Sequence, residues 1–297
     1  MHSLGGLRVG VISLGCAKNL VDTEVALGHL VAAGAVITTD ERQADVLVVN
    51  TCGFIEAARE ESLGEIQAAL RLKQEGSCRH VIVAGCLVQR WPERLARDLP
   101  EVDAWAGVGD PAEIARCIGR VVGGQTVPGA RCDLGYLYDH RTPRLRSTPR
   151  WTAWVKIAEG CDHRCAFCVI PRIRGRYRSR TIESVVAEVR DLESEGVREV
   201  NLIAQDTTRF GRDLPGADGP QLARLLRTLA TQTEVEWIRL LYCFPDRLTD
   251  EVIGVLAEYP RVVPYIDLPL QHASRRVLRA MRRPGDAERY AELLAKV

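Results

Sequence analysis

The 297-residue sequence has no apolar run near the roughly 18–20 residues of a membrane span. No transmembrane segment is expected, and no membrane partner. There is no low-complexity segment and no short internal repeat. An excess of either charge is also missing, since 40 Lys plus Arg face 39 Asp plus Glu. With 46% hydrophobic and 27% charged residues, the composition excludes a disordered or collagen-like chain. The start, MHSLGGLRVGVISLGC, has a strand-length apolar stretch without a small-residue cleavage site after it. It is not expected to be a secretory signal. A reducing, cytoplasmic setting is therefore expected, and the length suggests about two domains.

The neutral total hides an asymmetry. Residues 141–180 carry eleven bases against two acids, Glu159 and Asp162, so this window is +9 in a chain of +1. Such a local field suits either an anionic or nucleic-acid-rich partner or a solvated basic linker.

Cysteine is abundant. There are ten: Cys16, Cys52, Cys78, Cys86, Cys117, Cys132, Cys161, Cys165, Cys168 and Cys243. In a reducing compartment they point to metal binding or catalysis before disulfides.

Short Val- and Ile-rich runs alternate with helical patterns. Strands are predicted at 8–14, 45–50 and 80–84, with a helix after the first that Gly34 ends. This alternation implies a parallel, doubly wound α/β sheet. The pattern stops across 123–150, where Gly, Pro and Arg read as a linker or connecting hairpin. It resumes with strands predicted at 153–159, 199–205, 236–242 and 263–268, and a helix carrying Ile182, Val185, Val186, Val189 and Leu192 on one face. The expected domains are 1–125, a linker at 126–150, and 151–297. Four strands cannot close an eight-stranded barrel. A last helix from Asp286 has an apolar face at Tyr290, Leu293, Leu294 and Val297 and no stop signal. The chain is therefore expected to be part of a longer protein.

Each of the first three strands runs into a cysteine: SLGCAKN with Cys16, VVNTCGF with Cys52 and VAGCLVQR with Cys86. The spacing is about one βα unit each time, so the thiols share the carboxyl edge, where open α/β sheets bind ligands. Strands lie ~4.8 Å apart, which lets three such thiols converge on one polynuclear cluster. Gly15, Gly53 and Gly85 would permit close approach. The alternative is three buried free cysteines. A second set, GCDHRCAFCVIP, places Cys161, Cys165 and Cys168 in C-x3-C-x2-C spacing. A structural zinc site usually takes two C-x-x-C pairs, and none follows downstream; His163 as a fourth ligand would strain so tight a loop. Three thiolates on a 4Fe–4S cluster leave one iron open.

CDHRCAFC resembles the signature of the radical S-adenosylmethionine enzymes. The resemblance implies an open iron that chelates the amino and carboxyl groups of S-adenosylmethionine. Reductive cleavage then yields a hydrogen-abstracting deoxyadenosyl radical. It also places Phe167 against the adenine, with core packing as the alternative. Three N-terminal cysteines followed by a radical domain are similar to the methylthiotransferases, and the likeness covers the whole chain. It implies a first domain with its own cluster, then an incomplete radical S-adenosylmethionine β/α barrel, and two 4Fe–4S clusters in all. The strings SLGCAKNLVDTE, NTCGFIEAAREES, KIAEGCDHRCAFCVIPRIRGRYRSR, LIAQDTTRFG and DLPLQHAS look like the ribosomal-protein (RimO-type) branch. That branch methylthiolates the β-carbon of an aspartate in small-subunit ribosomal protein twelve, free or within the ribosome. An electron donor such as flavodoxin or ferredoxin is implied. Ala17 stands where that branch usually has Pro. The family's C-terminal TRAM domain and last barrel strands have no counterpart in this sequence. The rival readings are the tRNA adenosine branch, which reads TYGCQMN around its first cysteine, and a non-enzymatic iron–sulfur electron carrier.

Gln205 and Asp206 are expected to end the second barrel strand, where the superfamily contacts the methionine amino group; helix capping by Asp206 is the alternative. Arg178 and Arg180 could pair with a carboxylate. Gln271 and His272 are expected at the end of the fourth strand. GVGDPA at 107–112 imitates a dinucleotide fingerprint. It reads better as a helix start, with Asp110 as N-cap, Pro111 first and Glu113 closing a capping box. Cys78, Cys117, Cys132 and Cys243 lack the strand-end register and are expected to be free thiols.

Overall fold

A computed structural model of the chain describes residues 4–125, 127, 131–216 and 221–297. Residues 126 and 128–130 of the expected linker, and the first three residues of the chain, lie outside the described residues. Contacts divide the chain into two compact units. One comprises Met1–Tyr136, Arg141–Ser147 and Arg172–Arg174; the other comprises Leu137–His140, Thr148–Pro171 and Gly175–Val297. The stretch expected as a linker thus contributes residues to both.

The first unit is a five-stranded parallel sheet built from β1 (Arg8–Ser13), β2 (Val36–Thr38), β3 (Val46–Thr51), β4 (His80–Gly85) and β5 (Ala104–Ala106). Its order is β2-β1-β3-β4-β5, so the winding reverses between β1 and β3. The helices are α1 (Ala17–Ala32), α2 (Glu56–Gln74), α3 (Cys86–Arg90), α4 (Pro92–Asp98) and α5 (Ala112–Val122). All six residues of β3 are buried. Their period-2 alternation sends Val46 and Val48 into one core with α1 and α5, and Leu47 and Val49 into another with α2 and α3. A sheet covered on both faces needs such continuous apolar strands. β1, β3 and β4 fall within a residue of the predicted runs. β2 and β5 were not foreseen, because three-residue edge strands carry no readable periodicity. At α5 the expected capping box is corrected. Asp110 does accept from the Ala112 N–H at 3.0 Å, but Glu113 turns to Arg116 and Arg120 instead of back to the cap.

The second unit has β6 (Thr152–Lys156), β7 (Ala158–Glu159), α6 (Ile170–Arg174), β8 (Arg178–Ser179), α7 (Ile182–Ser194), β9 (Glu199–Ile203), α8 (Leu222–Gln232), β10 (Trp237–Leu240), α9 (Asp250–Glu258), β11 (Val262–Ile266), α10 (Arg275–Ala280) and α11 (Ala287–Lys296). The last three residues of α6 group with the first unit. Here the sheet order is β11-β10-β9-β6, with consecutive strands side by side and parallel. That is the winding of a β/α barrel wall, without the reversal of the first sheet. Ala153, Val155, Val200, Leu202, Ile238 and Leu240 face one core with α7, α8 and α9. The intervening residues, among them Lys156, Asn201 and Arg239, lie on the other face by the same period of two. The predicted strand 153–159 is broken after Lys156, and Ala158–Glu159 instead pairs antiparallel with β8. The strands at 199–205 and 263–268 end two residues early, at Ile203 and Ile266. α11 is capped by Asp286, which accepts from the Arg289 N–H. Its Tyr290 is buried and Leu293 packs on the core, so only Leu294 and Val297 of the expected apolar face are exposed.

The Arg141–Ser147 segment packs as part of the first unit. Glu24 on α1 is fully buried, and its carboxylate accepts from Arg144 Nε at 2.9 Å and Nη2 at 2.5 Å, from the Ser147 N–H at 2.7 Å and from its hydroxyl at 3.0 Å. One turn along, Gly28 meets the Pro143 backbone, where a Cβ would sit 2.4 Å from the carbonyl carbon and oxygen. Alanine would gain ~1 kcal/mol in helix propensity, but backbone cannot swing aside as a flexible side chain can. Overpacking typically costs about 1–3 kcal/mol. Gly28→Ala is therefore expected to destabilise the protein, read as a lower denaturant midpoint. A midpoint at or above that of the unmodified protein would show that the 143–145 segment does not press on α1.

Candidate functional site: two three-thiol sets

Cys16, Cys52 and Cys86 follow β1, β3 and β4, three neighbouring parallel strands, so all three lie at the carboxyl edge. The β1/β3 reversal lies at this edge, and such reversals are where open sheets leave a crevice for ligands. Cys16 is the N-cap residue of α1 and exposed, Cys52 is half-buried, and Cys86 is the buried first residue of α3. Gly15 lies against Cys52, since a Cβ there would stand 2.7 Å from Cys52 Cβ and 2.9 Å from its Sγ. Only glycine lets the Cys16 loop approach so closely. Buried polar side chains tie the strand ends together. Asn19 Nδ2 donates to the Leu14 carbonyl at 2.8 Å, Asn50 Nδ2 to Thr23 Oγ1 at 2.7 Å, and Thr51 Oγ1 to the Ala84 carbonyl at 2.5 Å. Ser62 on α2 pins Cys52 by accepting from its N–H and donating to its carbonyl, both at 3.0 Å. Burial pushes the Cys86 thiol up to about 11, offset in part by the Arg174 guanidinium beside it.

Cys161, Cys165 and Cys168 occupy the loop after β7. The Cys161 N–H donates to the Gly175 carbonyl at 3.0 Å, the Cys168 N–H to the Cys165 carbonyl at 3.2 Å, and the Ala166 N–H to the Met281 carbonyl at 3.0 Å. Cys161 is buried; burial, then Asp206 and the two sister thiols, pushes it up to about 12. His163 is held by Asp206 and Phe244. Its Nε2 lies 2.7 Å from Asp206 Oδ2 and its ring stacks on Phe244 at 4.0 Å. Arg283 covers the same Phe244 ring at 3.9 Å and reaches Cys165 Sγ at 3.9 Å. Asp162 anchors the loop between the Tyr177 N–H at 3.1 Å and Arg209 at 2.7 Å. Among the described residues no three His, Cys, Asp or Glu are grouped to hold a single metal ion.

Gln205 and Asp206 lie past the end of β9, not on it. Gln205 Nε2 donates to Glu159 Oε1 at 2.9 Å, while its Oε1 is buried without a hydrogen-bond partner. Asp206 is fully buried and its oxygens are engaged by His163 and Thr208, so it holds the loop in place of lining an open site. Phe167 is 51% exposed, which excludes plain core packing. Gln271 and His272 lie beyond β11 and are exposed, and His272 Nδ1 accepts from the Ser274 N–H. Part of the basic window is structural. Arg144, Lys156, Arg174 and Arg180 are buried against Glu24, Glu159, Asp22 and Glu188. Arg180 is therefore not available to an outside carboxylate. Tyr138, from the expected linker, donates to Glu188 and accepts from the Lys156 N–H at 3.1 Å. Sequence reasoning missed Glu159, Lys156, Tyr138 and Ser62, since isolated polar residues carry no pattern until the chain folds.

Cys117 and Cys243 are fully buried, and burial pushes each thiol up to about 12. Thiols pushed so far up stay protonated at pH 8, and the thiolate is the reactive form. Iodoacetamide treatment of the cluster-free protein at pH 8 is expected to alkylate exposed Cys16 first. Cys117 and Cys243 should react only after denaturation, as read by peptide mass spectrometry. Equal labelling of Cys117 and Cys16 in the native protein would contradict this placement.

Two family models match in the order of the two sets: Uncharacterized protein family UPF0004 over residues 8–107 and the Radical SAM superfamily over 155–297. Curated relatives match across nearly the whole chain. The Ribosomal protein uS12 methylthiotransferase RimO of Desulforamulus reducens is 50% identical over 97% of this chain and 65% of its own length. That of Symbiobacterium thermophilum is 51% identical over 98% and 59%, and that of Pelobacter propionicus 46% over 100% and 66%. The chain thus spans a little under two thirds of these relatives. Among solved structures, the radical S-adenosylmethionine methyltransferase TsrM of Kitasatospora setae matches with a TM-score of 0.65 at 14% identity, over 98% of this chain and 65% of that one. At that identity the likeness supports the fold alone. With both domain models in order and about half of all positions identical to RimO proteins, the chain belongs to the radical S-adenosylmethionine methylthiotransferase family, in its RimO-type branch.

Proposed function

We propose that the chain carries the cluster-binding and radical machinery of a methylthiotransferase that modifies the β-carbon of an aspartate in ribosomal protein uS12. The observation that carries this reading is the pair of separate three-thiol sets, the first at the carboxyl ends of three parallel strands and the second in the loop after β7. An electron carrier needs closed four-ligand sites, and each set here stops at three. The uS12 substrate rests on the names of the relatives, which also favour it over the tRNA branch. A cytoplasmic setting and a flavodoxin- or ferredoxin-class donor belong to the same proposal. No described helix is long and apolar enough to cross a membrane.

The residues fit the cofactors this family uses. Cys161, Cys165 and Cys168 would hold one 4Fe–4S cluster, and Cys16, Cys52 and Cys86 the other. With S-adenosylmethionine bound, the first cluster supplies radical hydrogen abstraction from an unactivated carbon. Gln205 offers a buried, unpartnered acceptor that an ammonium group would satisfy, and Glu159 fixes it through its Nε2. Asp206, His163 and Phe244 keep the thiol loop in one conformation. Phe167, between two of the thiols and half exposed, offers an aromatic face to the adenine.

The test divides the labour between the sets. After anaerobic reconstitution, Cys161→Ala is expected to abolish cleavage of S-adenosylmethionine to deoxyadenosine. Cys16→Ala should keep cleavage and lose the methylthio mass increment on uS12. Loss of cleavage in Cys16→Ala with the Cys161, Cys165 and Cys168 cluster intact by iron counting would refute the assignment. Methylthio transfer to tRNA but not to uS12 would move the chain to the other branch.

A further inference from the structure

Arg174, the last residue of α6, is 1% exposed. Burying a guanidinium costs several kcal/mol unless its donors find partners. Its partners include groups of α1 and the Cys86 sulfur. Nη1 donates to Asp22 Oδ2 at 2.9 Å, and Nη2 to Asn19 Oδ1 at 3.4 Å and to Cys86 Sγ at 3.4 Å. Asn19 and Asp22 stand three residues apart on the first turns of α1, the helix that Cys16 N-caps. A planar fork is thereby fixed on one side by a carboxylate and an amide, with a remaining N–H delivered to sulfur. A lysine could not present two nitrogens in that plane.

The Asp22 ion pair anchors the guanidinium, and the same group presents an N–H to the Cys86 sulfur. We propose that Arg174 is a positioning residue for the N-terminal iron–sulfur cluster, donating an N–H to the Cys86 ligand sulfur and thereby raising the potential of that cluster. This rests on the reading that Cys16, Cys52 and Cys86 hold a cluster. Reduction adds negative charge to the cluster, and N–H···S bonds and nearby positive charge stabilise the reduced form. Asp22 acts in the opposite sense, since its negative charge offsets the guanidinium it anchors.

The two residues therefore predict shifts of opposite sign. The full chain carrying Cys161→Ala, Cys165→Ala and Cys168→Ala is reconstituted anaerobically, so that only the N-terminal set can load. It is then titrated redox-wise by electron paramagnetic resonance. Adding Arg174→Met is expected to lower the reduced-to-oxidised ratio about tenfold at a fixed applied potential, which is about 59 mV for a one-electron couple. Adding Asp22→Asn is expected to raise the ratio. Thermal unfolding of each cluster-free variant checks the fold, and Asp22→Asn keeps the test decisive if Arg174→Met does not fold. Unchanged ratios, or shifts of the same sign, with the cluster loaded overturn the role of Arg174 alone. No iron or sulfide in the protein that retains Arg174 overturns the underlying cluster reading and this role with it.

Discussion

A parallel β-strand cannot return to its neighbour without a crossover, so every strand of such a sheet ends at the same edge. The rest of this structure depends on that constraint. In the first unit it stacks Cys16, Cys52 and Cys86 at one carboxyl edge, although they lie 34 to 36 residues apart in sequence. In the second it places Gln205 and Asp206 just past β9, while the 161–168 loop follows β7, which pairs antiparallel with β8. The thiols need no special device to meet. They need strands of similar length and short exits, which Gly15 permits by lying against Cys52.

Close approach of strand ends leaves backbone groups with no helix or ladder partner, and these must still be satisfied. Asn19, Asn50, Thr51 and Ser62 do this around the first set. Asp162 and Glu159 do it around the second, where Asp206 holds the His163 side chain. Such polar frames are rigid, because each member is held by several others. Burial pushes the Cys86, Cys161 and Cys168 thiols up within these frames.

The positive window shows how a compositional signal can mislead. Four of its eleven bases are consumed by acids, of which Glu24, Asp22 and Glu188 come from elsewhere in the sequence and Glu159 from the window itself. Counting charge in a window assumes that neighbours in sequence share a surface. Here Arg144 and Glu24 are 120 positions apart and bonded, while Arg176 in the same window is 93% exposed.

Local pattern made the two thiol sets, the main strands and the family legible from sequence, because strand periodicity and ligand spacing are properties of short segments. Cys161, Cys165 and Cys168 lie within eight residues, and each of the first three cysteines follows its own apolar run. The three-residue strands β2 and β5 were not legible, being too short for a period to show. Nor were the partners. That Asp206 binds His163, that Arg180 turns inward to Glu188, and that Arg174 delivers an N–H to Cys86 each depend on residues 8 to 88 positions away. Their pairing is decided only when burial makes an unsatisfied charge too costly to leave alone, and burial is a property of the folded chain.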